Sequence, residues 1–422
     1  MSVSLLLLSG AAGPACGAPP ATTDALQVLH WWTSVSERRA VDVLAHQAAA
    51  AGIEWKDGAI PGGAGLGAGK VLRSRVLAGD APEVTQIIGL SIGEWAELGL
   101  LLEIDDVAAA ANWSRSLFPT VDKLIRYRDH VVAAPLGIHR VNTLFYNRRL
   151  FDRFKLQAPR SWAEFERTAE VFRNAGVAAL AQSSEPWQVA ALFENLVLAT
   201  GGPAFHRALF VERSAAAIGD PRLLTALQRL RRVKRWIAAP ADERPWPAVV
   251  TQLAQGDAAM LVMGDWAKGE LNAAGHVTER DFGCAAMPDT GPYHLYSVDT
   301  LSMFAKDYAH RPAQEALARR VMTPAAQSEY NAVKGSVSVR RDADPARMDA
   351  CARASWTTFA AGDAVQVPSL VHRMATDEAS KDAIVAEVHR YYIDDAVTPE
   401  AARERLAALF RALRVSATPV HH

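Results

Sequence analysis

Gly89-Leu90-Ser91-Ile92-Gly93 lies between an apolar run and a helical pattern, and Asp299 and then His372 follow it along the chain. Gly-x-Ser-x-Gly at a strand-to-helix turn lifts a serine hydroxyl out of a sharp bend, and a later acid and histidine complete the order used by α/β-hydrolases. This is the sharpest catalytic signal here, and it is a weak one: so short a pattern arises often by chance, and neither Asp299 nor His372 sits in a local signature. A second stretch points to binding. In Leu29-His30-Trp31-Trp32-Thr33-Ser34-Val35-Ser36-Glu37 an apolar run ends in two tryptophans, then hydroxyls, then a carboxylate that heads a helical pattern. Indole rings bury large area while their N–H groups need partners, so such a pair suits a site that is half apolar and half wet. A pyranose has C–H faces for the rings and hydroxyls for the polar groups. Two core tryptophans capping a strand are the alternative reading of the same residues.

A third candidate is the glycine loop Pro61-Gly-Gly-Ala-Gly-Leu-Gly-Ala-Gly69, which runs into a helix from Lys70 to Ala78. As a Walker loop it fails, because Ala64 stands at the first glycine and Val71 at the Ser/Thr position. A loose Gly63-x-Gly65-x-x-Ala68 is all that remains of a dinucleotide fingerprint, and no acidic residue is placed for a ribose. The loop therefore reads as one that approaches a ligand, with no cofactor and no metal expected.

The elements that must position these residues alternate. A strand ending at Leu29, a helix through Val41, Leu44 and Ala48, and a strand from Ile53 open a β-α-β unit, and a strand Glu83 to Ile88 follows. The segment from Val131 to Asn147 reads as an extended passage between two units. Helices from Ala163 to Gly176, through Trp187-Gln188 and Leu192 to Thr200, and from Pro221 to Ile237 fill the middle. A buried strand then ends in Gly264-Asp265-Trp266. Further passages are expected at Tyr296 to Ser302 and at Val333 to Arg340, before a helical C-terminal part that holds Pro368 to His372.

With 422 residues the chain is long enough for two domains or two lobes. Lys and Arg number 45 and Asp and Glu 46, a net charge of -1 without a basic block, so neither nucleic acid nor an anionic membrane surface is an expected partner. Residues 1–25 have the short apolar run and small residues of a secretory signal, with Cys16-Gly17-Ala18 as a cleavage site. Gly13-Pro14-Ala15 before Cys16 is a poor lipobox, which argues against a lipid anchor. No later stretch reaches the ~18 apolar residues of a membrane span. If the signal is removed, Cys284 and Cys351 remain, either as a disulfide or as two free buried thiols.

The order of His30-Trp-Trp-Thr-Ser34, the glycine loop, Pro135-Leu-Gly-Ile-His-Arg-Val-Asn142, Pro186-Trp-Gln188, Val262-Met-Gly-Asp-Trp-Ala267, Asp299, Val333-Lys-Gly-Ser336 and Val371-His372 resembles periplasmic glucose-binding proteins, the solute-binding components of sugar ABC importers. The resemblance implies an α/β, two-lobe periplasmic binding protein fold with a three-segment hinge. Its N-terminal lobe would hold residues 26–138 plus 300–338, and its C-terminal lobe 139–299 plus 339–422. It implies an exported, periplasmic, monomeric and non-catalytic protein whose partners are a small-molecule sugar and ABC transporter permease subunits, or else a membrane sensor protein. It also places a disulfide at Cys284 and Cys351. Carried over, Trp32 and Trp266 would stack on the sugar. Glu37, Gln86, Asp299, Lys334 and His372 would bond its hydroxyls, and Trp31, Gly63, Trp187 and Gln188 would line the cleft. The single-residue alternatives are an Asp299–Lys334 ion pair, a satisfied histidine at 372, a core ring at Trp187, and a helix-terminal charge at Glu37.

Some positions depart from that pattern. Val35-Ser36 stands where Gly-Gly is common, so the loop before Glu37 is expected to take another shape, because a β-branched residue resists φ > 0. Ile88 stands where a Lys or His is common, and Val189 replaces a polar neighbour of Trp187-Gln188. A lost charged hydrogen bond costs about 1.5–3 kcal/mol, so an altered or weakened sugar specificity is expected.

Overall fold

The computed structural model describes residues 24–238, 242–306 and 308–416. The signal-like segment, Cys16 included, falls outside them up to residue 23. Ten strands position the site: β1 (Asp24–His30), β2 (Ile53–Ala59), β3 (Val84–Ile88), β4 (Ala134–Arg140), β5 (Thr143–Asn147), β6 (Ala178–Ala181), β7 (Ala258–Met263), β8 (Phe282–Ala286), β9 (His294–Met303) and β10 (Gln366–Pro368). The first sheet runs β10-β9-β3-β1-β2, with β4 on the other edge of β9, and the second runs β8-β5-β7-β6.

The opening β-α-β unit follows from its sequence. β1 and β2 pair in parallel from Asp24↔Ile53 to His30↔Ala59, a connection that needs a crossover helix. That helix, α1 (Val35–Ala49), buries Ala40, Val41, Val43, Leu44 and Ala48, the i, i+3, i+4 stripe of an amphipathic helix. Ser34 caps it, and Glu37 reaches back to the cap. Helix formation thus begins at Val35, which has no positive φ, so the loop does take a shape that a β-branched residue tolerates. The glycine loop contains a 3-10 turn, Gly63–Gly65, and leads into α2 (Leu66–Leu77).

Each sheet has its own core. Leu26, Val28, Val84, Ile138 and Leu301 of the first sheet pack against Val41 and Leu44 of α1. Leu144, Met260 and Val262 of the second pack against Phe193 and Leu196 of α3 (Pro186–Phe210). A third cluster unites Trp187, Trp266, Leu295, Val367 and Val371 where the two units meet. Among the described residues, no helix is long and apolar enough to cross a membrane.

The chain leaves the first sheet at β4, returns at β9 and leaves again after β10. These three strands lie side by side, since Tyr296 of β9 pairs with both Arg140 of β4 and Pro368 of β10. The segment 333–340, read from sequence as a passage, keeps to the first unit: Val337 bridges to Ile138 and Arg340 to Leu117. The helical setting expected for His372 is also corrected. Pro368 ends β10 and His372 lies in the turn after it, ahead of the helix Glu378–Ile393. Cys284 of β8 and Cys351 of the helix Ala350–Ala360 form a disulfide with a Cα–Cα distance of 5.9 Å.

Candidate functional site

A cleft of about 340 Å³ opens between the two units. Trp31 and Trp32 reach it because β1 ends there, and Ser34 and Glu37 because α1 starts there. The loop Pro61–Gly63, Ile88 at the end of β3, Ser297 and Asp299 of β9, and Lys334 at the end of α4 (Pro324–Lys334) complete the first unit's wall. Across it stand Glu185, Trp187, Pro245-Trp246-Pro247 and Trp266, and His372 also lines the cleft. Strand ends and helix starts of both units thus converge on one space.

The first wall is a buried ionic network. Glu37 Oε2 accepts from the backbone N–H groups of Thr33 and Ser34, both at 3.1 Å, while Lys334 Nζ donates to Glu37 Oε1 at 3.3 Å. The helix-charge reading of Glu37 therefore holds together with a place on the cleft wall. Lys334 pairs with Glu37, so the hydrogen-bonded partners of Asp299 are His139 Nε2 at 3.1 Å and Gln86 Nε2 at 3.1 Å. Burial raises the Asp299 carboxyl, but the charge and hydrogen bond of His139, with Lys334 and Gln86, outweigh it and hold it at about 2. Burial likewise works against the His139 imidazolium, and the Asp265 carboxylate at 2.5 Å with Asp299 overcomes it, raising the group to about 8. His372 is pushed down to about 3 by burial and by the charge of His139, so it is a neutral imidazole.

Aromatic rings form the rest. Trp266 packs against His372 at 5.2 Å, His139 at 5.4 Å and Trp187 at 6.4 Å between ring centroids. Trp187 is buried yet lines the cleft, with its Nε1–H donating to Glu185 Oε2 at 2.9 Å. Trp32 is packed on His30 at 5.2 Å and edge-on to Tyr330, while Trp31 is half-buried with the Arg373 guanidinium over its ring.

Nine of the residues singled out from sequence line this cleft: Trp31, Trp32, Glu37, Gly63, Trp187, Trp266, Asp299, Lys334 and His372. The other two stand behind it. Gln86 is spent on Asp299 and on the Trp31 N–H, and Gln188 donates to Glu185 Oε2 at 2.7 Å and to the Arg244 carbonyl at 2.9 Å. Val189 is fully buried among core residues of the second unit and leaves the cleft wall unchanged, which corrects its reading as a lost polar contact. Ile88 does line the cleft. His139, Glu185, Trp246 and Ser297 were not picked out from sequence; the Pro245-Trp246-Pro247 triplet, an aromatic ring at the proline-fixed start of the helix Trp246–Gln255, is a signal that could have found one of them. As for the hydrolase arrangement, the described side-chain bonds of His372 go to Ser369 and those of Asp299 to His139 and Gln86, and none joins either to Ser91.

Residues 34–327 match the family of bacterial extracellular solute-binding proteins. A relative from Rhizobium meliloti (strain 1021), a "probable sugar-binding periplasmic protein", is 33% identical over 386 residues, covering 91% of this chain and 93% of its own. A protein of the same description from Brucella suis biovar 1 is 32% identical over 386 residues, covering 91% of each chain. Among solved structures, the bacterial solute receptor AcbH, described as having an exclusive preference for β-D-galactopyranose, superposes with a TM-score of 0.80 at 16% identity over 94% of this chain and all of its own. A chitin oligosaccharide binding protein also gives 0.80, at 17% identity over 93% and 99%. On this evidence the chain belongs to the bacterial extracellular solute-binding proteins, has their two-lobed fold, and is an exported, periplasmic binding protein rather than an enzyme.

Proposed function

We propose that the chain captures a monosaccharide-sized sugar in the interlobe cleft and presents it to the permease subunits of an ABC importer. The observation that carries this reading is the composition of the cleft, in which tryptophan rings face a buried, mutually neutralising network of Glu37, Lys334, His139 and Asp299. Rings suit the C–H faces of a sugar, and hydrogen bonds from hydroxyls to charged groups contribute about 1.5–3 kcal/mol each. A few of these reach micromolar affinity, about -8 kcal/mol. The size supports a small solute, since about 340 Å³ is near the lower end of the roughly 300–1,000 Å³ of ligand clefts. The sugar-binding descriptions of relatives matched over most of both chains support the same class. Glucose is one candidate among several.

In this reading Trp31, Trp187 and Trp266 supply ring faces, and Asp299, Lys334, Glu37 and His372 bond the hydroxyls. Trp32, Gly63, Gln86 and Gln188 shape or hold the site. Because the walls come from both units, a solute that bridges them favours the closed arrangement. The test is calorimetric titration of ligand-stripped protein with D-glucose, D-galactose, D-xylose, maltose and raffinose, with radius of gyration measured by X-ray scattering. Micromolar binding of one monosaccharide with a smaller radius is the expected result. Binding of the oligosaccharides alone, or of no sugar, overturns it.

A further inference from the structure

Behind His372 lies a buried acid that the cleft itself does not contain. Glu194 sits on α3 with no exposure to solvent. Its Oε2 accepts from the Leu370 N–H at 2.6 Å, and its Oε1 is 2.8 Å from Ser369 Oγ. Ser369 Oγ is in turn 2.9 Å from His372 Nδ1, and it accepts from the His372 backbone N–H at 3.3 Å. An unbroken line thus runs from a sealed carboxyl through one hydroxyl to the histidine on the cleft wall. Nδ1 of His372 is spent on Ser369, so Nε2 is the ring nitrogen left for a solute.

A hydroxyl has one proton to give, and Ser369 has two neighbours that can take it. If Glu194 is a carboxylate, Ser369 donates to Oε1, His372 Nδ1–H donates to Ser369, and Nε2 is an acceptor. If Glu194 is an acid, its Oε1–H donates to Ser369, Ser369 donates to His372 Nδ1, and Nε2 carries the proton. Both arrangements leave Ser369 with one donated and two accepted bonds, so neither strands a buried polar group. We propose that Glu194, acting through the Ser369 hydroxyl, sets the tautomer of His372 and so decides whether the cleft offers the solute a donor or an acceptor at that nitrogen. The conversion balances with one proton: it enters from the cleft at Nε2, the Nδ1 proton passes to Ser369, and the Ser369 proton passes to Glu194. Glu194 and Ser369 are positioning residues for the binding site.

The surroundings favour the acid form at neutral pH. Burial lifts the Glu194 carboxyl to about 8 against the pull of its Ser369, Leu370 and Val371 bonds. His206, 3.9 Å away, gives no counter-charge, because burial and then the nearby Arg207 charge push it down to about 3. The charged groups acting on His372 are His139 and Asp299 from the first unit and Arg373 and Lys381 from its own side. Neutral pH therefore presents Nε2–H to the solute, and alkaline pH presents a bare Nε2.

The inference rests on the sugar reading only for what meets Nε2, and the test needs no solute. In full-length protein labelled with ¹⁵N-histidine, with the His372 signals assigned by their loss in His372→Gln, the ring nitrogens are followed from pH 6.5 to 9.5. Wild type is expected to show a pyrrole-like Nε2 at pH 6.5 and to exchange the two nitrogens' signatures as pH passes about 8. Glu194→Gln keeps a donor toward Ser369 and is expected to hold the pyrrole-like Nε2 throughout, although His139 still titrates there. Ser369→Ala, with the hydroxyl gone, is expected to abolish the pH-driven exchange. A wild-type His372 that keeps one tautomer across the range, or exchange in Glu194→Gln that matches wild type, overturns the proposal.

Discussion

His139 Nδ1 and Asp265 Oδ1 stand 2.5 Å apart across the junction of the two units, His139 on β4 of the first sheet and Asp265 just beyond β7 of the second. The other ring nitrogen bonds Asp299 of β9 at 3.1 Å, so one buried cation is shared by two acids. A histidine raised from 6.5 to about 8 contributes stability that is complete below pH 6.5 and is lost as pH rises through 8. The amount is about 2 kcal/mol. Asp299, lowered to about 2, contributes above pH 3.8 and loses its share as pH falls through 2. Denaturant unfolding of wild type and His139→Gln should therefore show a gap that is widest below pH 6.5 and narrows by about 2 kcal/mol up to pH 9. Glu194 titrates in both proteins and cancels in the difference. A gap that is constant with pH would mean that the imidazole holds its proton equally well folded and unfolded, so that Asp265 and Asp299 do not stabilise it as a cation.

The disulfide gives a second prediction. Cys284 and Cys351 are 67 positions apart, and closing a loop of that length stabilises by about 4 kcal/mol in the chain-entropy model. The bond ties the second sheet to a helix whose Ala352 and Phe359 belong to the first core. Cys351→Ser, or reduction of the native protein, is expected to lower the calorimetric melting temperature, and reoxidation of the reduced wild type should restore it. An unchanged melting temperature on full reduction would count against any structural role.

Gly63 tests the geometry of the cleft. A Cβ there would lie 2.2 Å from Trp187 Nε1, and the Trp187 N–H is already committed to Glu185. Gly63 has an ordinary negative φ, so alanine introduces no backbone strain in its own loop. Gly63→Ala is therefore expected to weaken sugar binding by about tenfold or more, ~1.4 kcal/mol, and to destabilise the free protein by up to about 1–3 kcal/mol, because Trp187 or the loop must shift to admit the Cβ. Unchanged affinity in calorimetry would show that the loop and Trp187 do not approach in the bound state.

How much of this was legible depends on what neighbours do to each residue. The Trp31-Trp32 stretch and the crossings at β4 and β9 are legible as extended runs, whereas the cleft positions of Asp299, inside β9, Lys334, at the end of α4, and His372, in the turn after β10, come from the family resemblance and not from local pattern. His139 did not stand out, because all seven residues of β4 are buried, and a strand covered on both faces shows no alternation to single one out. The start of α1 was legible in principle, since Ser34-x-x-Glu37 has the spacing of a capping box. Gln86 and Gln188 bear the right chemistry, but their orientation is set by Asp299 and Glu185, which are distant or unnoticed in sequence. Val189 was misplaced by helix geometry: two residues beyond Trp187 on α3, it points roughly 200° away, into the core.

Ile88 makes the specificity reading testable by gain of function. It is the last residue of β3, almost fully buried, and on the cleft wall; Asp299, its partner in the β9 register, has both carboxylate oxygens engaged, by Gln86 and His139. A sugar hydroxyl set against this side chain meets methyl groups and loses the bond it had in water, a cost of about 1–3 kcal/mol. Ile88→His is expected to tighten binding of sugars with a hydroxyl at that position by about tenfold or more, at some cost in stability, because an imidazole is less well buried than a sec-butyl group. Sugars lacking that hydroxyl should bind the variant more weakly than wild type, since the new polar group is then left without a partner. Calorimetry of both proteins against D-glucose, D-galactose and their deoxy derivatives would read out the difference. Equal weakening across the whole set would mean that the imidazole only disturbs the wall, and that the apolar side chain at this position does not select the solute.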